Sequence, residues 1–214
     1  MTSGSLRIFW ALRPPQTVID AVAEFAGELR RPFDKLGLKV SWVAAEAMHV
    51  TLKFLGNVAL SDLSPMLLRV QNELQNLAIA NPSAPRLVLR GFGAFPKPER
   101  PRVLIAEVHG ASSEADLEPL HALQSRLESS LEELGHPREE RPFHPHLTLG
   151  RVREGRPVSG RDLMQIYSNH GHRRFGEAFP IEEVILYESR LGSEGVTYIP
   201  LHRLPLPGNQ RRTS

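Results

Sequence analysis

Two short stretches, His49-Val50-Thr51-Leu52 and His146-Leu147-Thr148-Leu149, constrain the fold of this chain more than any other feature. Each sets a histidine and a threonine two residues apart and follows the threonine with leucine. On a β-strand, residues i and i+2 point to the same face. Each copy therefore presents one imidazole and one hydroxyl on one side of a sheet. Val50, Leu52 and Phe54 in the first copy, and Leu147 and Leu149 in the second, are expected to point the other way, into a core. With nine histidines and six threonines in 214 residues, chance supplies roughly a quarter of one such triplet. Two occur, and both continue with leucine, so a pair of unrelated half-buried strands is a poor explanation.

The segments around the two copies follow a common order. Residues 6–12 read as a strand stopped by Pro14-Pro15. Val18, Val22, Phe25 and Leu29 recur at helical spacing and predict an amphipathic helix over 16–29. A loop through Pro32 and Gly37 and a short strand over 40–43 lead to the first motif strand, 49–56, closed by Gly56-Asn57. Ser61 is the expected cap of a helix reaching about 80, with Leu63, Leu67, Val70, Leu74 and Leu77 on one face and Asn81-Pro82 as its stop. A strand follows at 86–90, and residues 91–101, rich in glycine and proline around Phe95, read as a turn-rich connector.

The second half repeats the order. A strand over 103–108 precedes a helix over 116–134, with six leucines in register and Gly135 as its stop. A polar loop, the motif strand 146–152 and a shorter helix from Ser159 or Gly160 to 167 come next. Strands over 179–187 and 196–204 close the chain around a hairpin turn at 192–195. The motifs lie 97 residues apart, too far for a solenoid repeat. The expected fold is α+β and bilobal: two pseudo-twofold-related lobes of mainly antiparallel sheet, helices packed outside, and a cleft between the lobes. Residues 6–204 are expected to form one unit with an internal repeat over about 6–91 and 102–204, and 1–5 and 205–214 to be frayed tails.

Composition narrows the chemistry. The absence of cysteine excludes disulfides, thiolate metal sites and a cysteine nucleophile. No apolar run is long enough to span a bilayer. The polar start, Met1-Thr2-Ser3-Gly4-Ser5, has no signal-peptide pattern, and the expected location is the cytoplasm. Net charge is only +2, and the lysines are Lys35, Lys39, Lys53 and Lys97. A nucleic-acid contact should therefore be local rather than a broad salt-sensitive grip.

Two imidazoles facing one cleft can supply a base and an acid in one turnover, because histidine titrates near neutrality. Threonine hydroxyls beside them can donate to the non-bridging oxygens of a phosphodiester, where charge accumulates. In-line displacement needs the attacking water and the leaving oxygen on opposite sides of phosphorus. A histidine pair related by a pseudo-twofold meets that need without a metal.

These residues resemble the two-histidine (2H) phosphoesterase superfamily, and within it the LigT-like RNA 2′,3′-cyclic phosphodiesterases of the 2′-5′ RNA ligase family. The resemblance extends beyond the motifs to Arg7-Ile8-Phe9-Trp10-Ala11-Leu12, to Lys53-Phe54-Leu55-Gly56, to Gly93-Ala94-Phe95-Pro96, to 141–151 and to Leu186-Tyr187-Glu188-Ser189, in the family's order. It implies hydrolysis of an RNA terminal 2′,3′-cyclic phosphate to a 2′-phosphate with no metal or nucleotide cofactor. In some members it also implies joining or reversing of 2′,5′ linkages in tRNA halves. By the same resemblance His49 is the proton donor to the departing 3′ oxygen and His146 the proton acceptor from water, an assignment that pseudo-symmetry leaves open to exchange. Thr51, Thr148 and Arg151 would hold the phosphate, and Phe9 could stack on a base. The expected partner is RNA bearing a cyclic phosphate end, met by a monomer of bacterial type. Trp10 and His144 depart from the family pattern.

Three alternatives remain. His49, His144 and His146 could hold a metal, although neither motif contains Asp or Glu and the threonines would then have no role. The chain could be a non-catalytic RNA-binding module, against which two intact motifs argue. Or it could act on another cyclic phosphate or a 2′,5′-linked nucleotide.

Overall fold

The computed structural model describes residues 4–80, 86–153, 159–193 and 195–206. Its first half contains β1 (Ser5–Leu12), α1 (Gln16–Lys35), β2 (Val40–Trp42), β3 (Val50–Ala59), α2 (Leu63–Ala80) and β4 (Arg86–Lys97). The second contains β5 (Arg100–Gly110), α3 (Glu118–Glu132), β6 (His146–Val152), α4 (Gly160–His170), β7 (Arg174–Pro180), β8 (Glu183–Gly192) and β9 (Gly195–Pro205). The strands form one antiparallel sheet in the order β7-β4-β5-β6-β3-β1-β8-β9, with β2 added against β6. The architecture is α+β and bilobal, as expected. The two motif strands sit side by side at its centre, joined at the single register pair Val50–Leu147.

The helices cover one face. Ile8, Trp10 and Leu12 of β1, Val50 and Leu52 of β3, Leu104, Ala106 and Val108 of β5, and Leu147 and Leu149 of β6 bury themselves against the apolar faces of all four helices. Burial of this apolar surface is the main term holding the lobes together. The opposite face keeps a small separate cluster, Phe9, Ala11, Ile185 and Tyr187, with Tyr198 packed on it. Period-two alternation thus divides each strand between a helix-covered core and an open face.

Each lobe borrows a strand from the other half of the sequence. β4, the last strand of the first half, pairs with β5 beside β6, and β8 from the second half pairs with β1 beside β3.

Several local expectations are corrected. α1 does not stop before Pro32 but continues to Lys35, because Phe33 extends the stripe of Phe25, Ala26 and Leu29 into the core. The glycine- and proline-rich segment is no connector: β4 runs through it to Lys97 and pairs with β5 along its length. Gly91 is favoured there by its φ of +83°, and a Cβ on Gly91 or Gly93 would come within 2.9 Å of the Glu107 carboxylate, which would have to move aside. β7 holds Phe179, which sequence reading placed in the following strand. Ser61 lies in a 3-10 turn and bonds Asp62 instead of capping α2. Order reaches further towards the ends than expected: Ser5 begins β1, Pro205 closes β9, and Leu206 N–H donates to Glu182. The rest of the expected tails, 1–3 and 207–214, and the Asn81-Pro82 stop lie outside the described residues.

The alternation breaks at matching places just after each motif threonine, and in β3 a second time between Phe54 and Gly56. Between β1 and β3 the partners run Ala11–Thr51, then Trp10–Lys53, leaving Leu52 unpaired. Between β5 and β6 they run Ile105–Thr148, then Leu104–Gly150, leaving Leu149 unpaired. A one-residue slip exchanges the faces of everything beyond it. Lys53 therefore turns to the helix side beside Trp10, while Phe54, opposite Phe9, turns to the open face and is 48% exposed. This overturns the expectation that Phe54 joins the core.

Lys53, only 4% exposed, ties three segments together. Its ammonium meets Glu128 of α3 at 2.6 Å and donates to the Pro137 carbonyl at 2.5 Å. Glu128 also accepts from Gln124 and from the Glu139 amide. Strand β3, helix α3 and the loop leading to His146 thus share one satisfied buried ion pair.

Candidate active site

His49 lies immediately before β3 and His146 opens β6. Both are held in the same way. The His49 Nδ1–H donates to the Ala47 carbonyl at 2.7 Å, and the His146 Nδ1–H donates to the His144 carbonyl at 2.7 Å. A carbonyl oxygen can only accept, so each bond fixes the proton on Nδ1 and leaves Nε2 as the reactive nitrogen. In each case the acceptor is two residues before the histidine. Thr51, on the open face opposite Ala11, and Thr148, opposite Ile105, are half-buried.

The two imidazoles share one electrostatic environment. His49 is pushed down to about 4, first by burial, then by the nearby His146, Arg13 and Arg151 charges, against the opposing Ala47 hydrogen bond. His146 is lowered too, first by burial and then by Arg151 and His144, against its own carbonyl bond. Arg151 is exposed, lies just past the slip in β6, and its charge lowers both imidazoles. Burial and the neighbouring positive charges both favour the neutral imidazoles, the form that accepts a proton. A bound phosphodiester would favour the charged forms.

Aromatic rings wall the site. Phe9 lies 4.8 Å from the His49 ring and packs against Tyr187 at 5.4 Å and Tyr198 at 5.0 Å. It is 2% exposed, so it supports His49 from behind and offers no surface to a base. That corrects the stacking role expected for it. Tyr198 meets His49 edge-on at 4.9 Å, and Phe95 meets His146 edge-on at 5.0 Å. Trp10, the departure from the family pattern, is fully buried on the helix side and does not reach the cleft.

Arg13 and Tyr198 escaped sequence reading. The Arg13 guanidinium donates to the carbonyls of Ala45, Glu46 and Met48. It thereby pins the turn that carries the Ala47 acceptor of His49. Tyr198 comes from a strand remote in sequence from either motif. Neither residue has a local pattern that points to the site. Among the described residues no group of three His, Asp or Glu side chains gathers as a metal-ligand set, so the metal alternative built on His49, His144 and His146 gains no geometric support.

Comparison with known proteins agrees with this arrangement. The model of the 2′-5′ RNA ligase superfamily matches residues 18–192. An RNA 2′,3′-cyclic phosphodiesterase of Thermus thermophilus is 32% identical over 210 residues, covering 97% of this chain and 93% of that relative. One of Aeropyrum pernix is 29% identical over 188 residues, covering 86% and 98%. Among solved structures, TT0787 of Thermus thermophilus superposes with a TM-score of 0.70 at 29% identity, covering 95% of this chain and 100% of that one. Escherichia coli LigT complexed with 3′-AMP shares the fold, with a TM-score of 0.66 at 23% identity over 95% and 99% of the two chains. Sheet order, paired motifs and family match coincide over most of the sequence, and the chain belongs to the 2′-5′ RNA ligase superfamily.

Proposed function

We propose that this protein hydrolyses the 2′,3′-cyclic phosphate at an RNA end to a 2′-phosphate by two-histidine acid–base catalysis. The observation that carries the proposal is the matched pair of Nδ1–carbonyl bonds on adjacent strands joined at Val50–Leu147, each of which leaves Nε2 as the reactive nitrogen. His146 takes a proton from water as the water oxygen bonds to phosphorus. The phosphorus–O3′ bond breaks, and His49 gives its proton to the departing 3′ oxygen. Thr51, Thr148 and Arg151 donate to the non-bridging oxygens, where negative charge grows. The activity printed in the names of the Thermus and Aeropyrum relatives supports the same reaction. No metal or nucleotide cofactor takes part. A ribose 5′ hydroxyl in place of water would form a 2′,5′ linkage, the chemistry for which the superfamily is named.

The proposal extends to residues 6–204 as one catalytic unit with its internal repeat, acting as a monomer in the cytoplasm, with ends of cleaved tRNA among its substrates. No helix among the described residues is long and apolar enough to cross a membrane. The test is digestion of a short RNA ending in a 2′,3′-cyclic phosphate in the presence of EDTA, with the product phosphate located by NMR. A 2′-phosphate is the expected product. A 3′-phosphate, or activity lost to EDTA and restored by zinc, overturns the mechanism.

A further inference from the structure

The matching slips place Phe54 and Arg151 at equivalent positions. Each lies three residues beyond its motif threonine, just past the slip, and each is turned to the open face. In the second lobe that position holds an exposed arginine, paired in register with Val103 of β5 and Ser41 of β2. In the first it holds an aromatic ring that is half exposed within a strand. The Phe54 ring stacks on Phe9 at 6.2 Å, one ring further from the cleft than His49's own neighbour. Arg7, exposed on β1, lays its guanidinium 4.7 Å from the Phe54 centroid. Among the described residues Arg7 has no ion-pair partner. A core residue would not be half exposed, and a solubilising surface position would not carry phenylalanine.

We propose that Phe54 and Arg7 form a platform for the nucleotide that precedes the cyclic end of the RNA. The proposal rests on the phosphodiesterase reading above, which puts the nucleoside on the His49 side, because its 3′ oxygen takes the His49 proton. The strand 5′ to that nucleoside then runs over the first lobe, past Phe9 to Phe54. Unpaired bases are held by stacking on aromatic rings or on arginine planes, and an arginine laid over a phenylalanine offers both surfaces together. The free guanidinium nitrogens can meet the backbone phosphate. The cleft is thereby asymmetric: Thr51 and Thr148 hold the reacting phosphate from both lobes, Arg151 adds to that grip from the second, and the first lobe reads the length of the chain attached to it.

The test compares kcat/KM for a 2′,3′-cyclic mononucleotide, a dinucleotide with the same end, and that dinucleotide with its first base removed. Wild type is expected to prefer the intact dinucleotide. Phe54→Leu should reduce the ratio of dinucleotide to mononucleotide by about tenfold, in line with the loss of one stacked base, and should not alter the ratio for the abasic dinucleotide. Arg7→Gln should reduce both dinucleotide ratios, with an effect that shrinks as salt rises. Unchanged ratios in both variants overturn the platform, as does an equal response of intact and abasic dinucleotides to Phe54→Leu. Binding of a fluorescein-labelled dinucleotide ending in a 2′-phosphate separates the two claims. If wild type turns nothing over yet its binding weakens about tenfold in Phe54→Leu, the platform stands and the phosphodiesterase reading falls. If turnover is normal and binding ignores both variants, the platform falls alone.

Discussion

At the scale of single residues, the site depends on two imidazoles whose charge state is set by burial. His49→Ala and His146→Ala should each lower turnover by about 10²-fold or more while circular dichroism stays unchanged; near-wild-type turnover in either would remove the acid–base pair. The pH dependence has a definite sign. The folded pKa of His49 lies near 4, below its ordinary 6.5, so between those values the unfolded chain holds a proton that the native protein lacks. Stability therefore rises with pH across that window, is fully present above 6.5, and is lost as the pH falls towards 4. His146 adds in the same direction. The loss from pH 7 to pH 4.5 attributable to His49 is about 2–3 kcal/mol, and His49→Gln should flatten the urea-denaturation profile by that amount. For catalysis, the His49 proton is scarce in the free enzyme and is favoured by the substrate's negative charge. The kcat optimum should thus lie at higher pH than the kcat/KM optimum, and coincident optima would contradict the donor role. The histidines and threonines were legible in the sequence because i, i+2 alternation is local. Phe54 was not, because a one-residue slip reverses the facing of a strand and leaves no mark in composition, and Phe9 was not, because the rings that cover it, Tyr187 and Tyr198, come from strands far away in the sequence.

At the scale of elements, the Lys53–Glu128 pair joins motif strand β3 to α3 and to the loop before His146. Lys53→Met strands a buried carboxylate and should cost about 3–5 kcal/mol in denaturant titrations. The double variant Lys53→Met/Glu128→Leu should recover most of that, because two apolar side chains need no partner. A double variant as unstable as the single one would show that the pair itself fixes the loop. Helices α1, α2 and α3 were legible from their apolar spacing. The β4–β5 hairpin was obscured because Gly91 and Gly93, which normally punctuate chains, here make room for the Glu107 carboxylate. That requirement comes from a neighbouring strand and cannot be seen in the segment itself. Gly93→Ala should therefore displace Glu107, the register partner of His146, and lower kcat more than it lowers Tm.

At the scale of the whole molecule, the paired motifs indicated two lobes and a central cleft, but not which strand completes each lobe. That information is held in long-range register between strands far apart in sequence. A polypeptide of residues 1–97, which keeps the whole first half, should fail to fold on its own, as judged by its amide hydrogen exchange; protection in it would separate the lobes into independent units. The exchange of β4 and β8 also has a consequence in time. A ribosome finishes β1 at Leu12, but the strand that closes β1's outer edge begins only at Glu183. For most of synthesis the first lobe carries an open edge bearing Phe9 and Trp10, a template for mispairing with other nascent chains. Protection of that edge is therefore a matter for whatever attends the emerging chain, and a message truncated before β8 yields an aggregation hazard rather than half an enzyme.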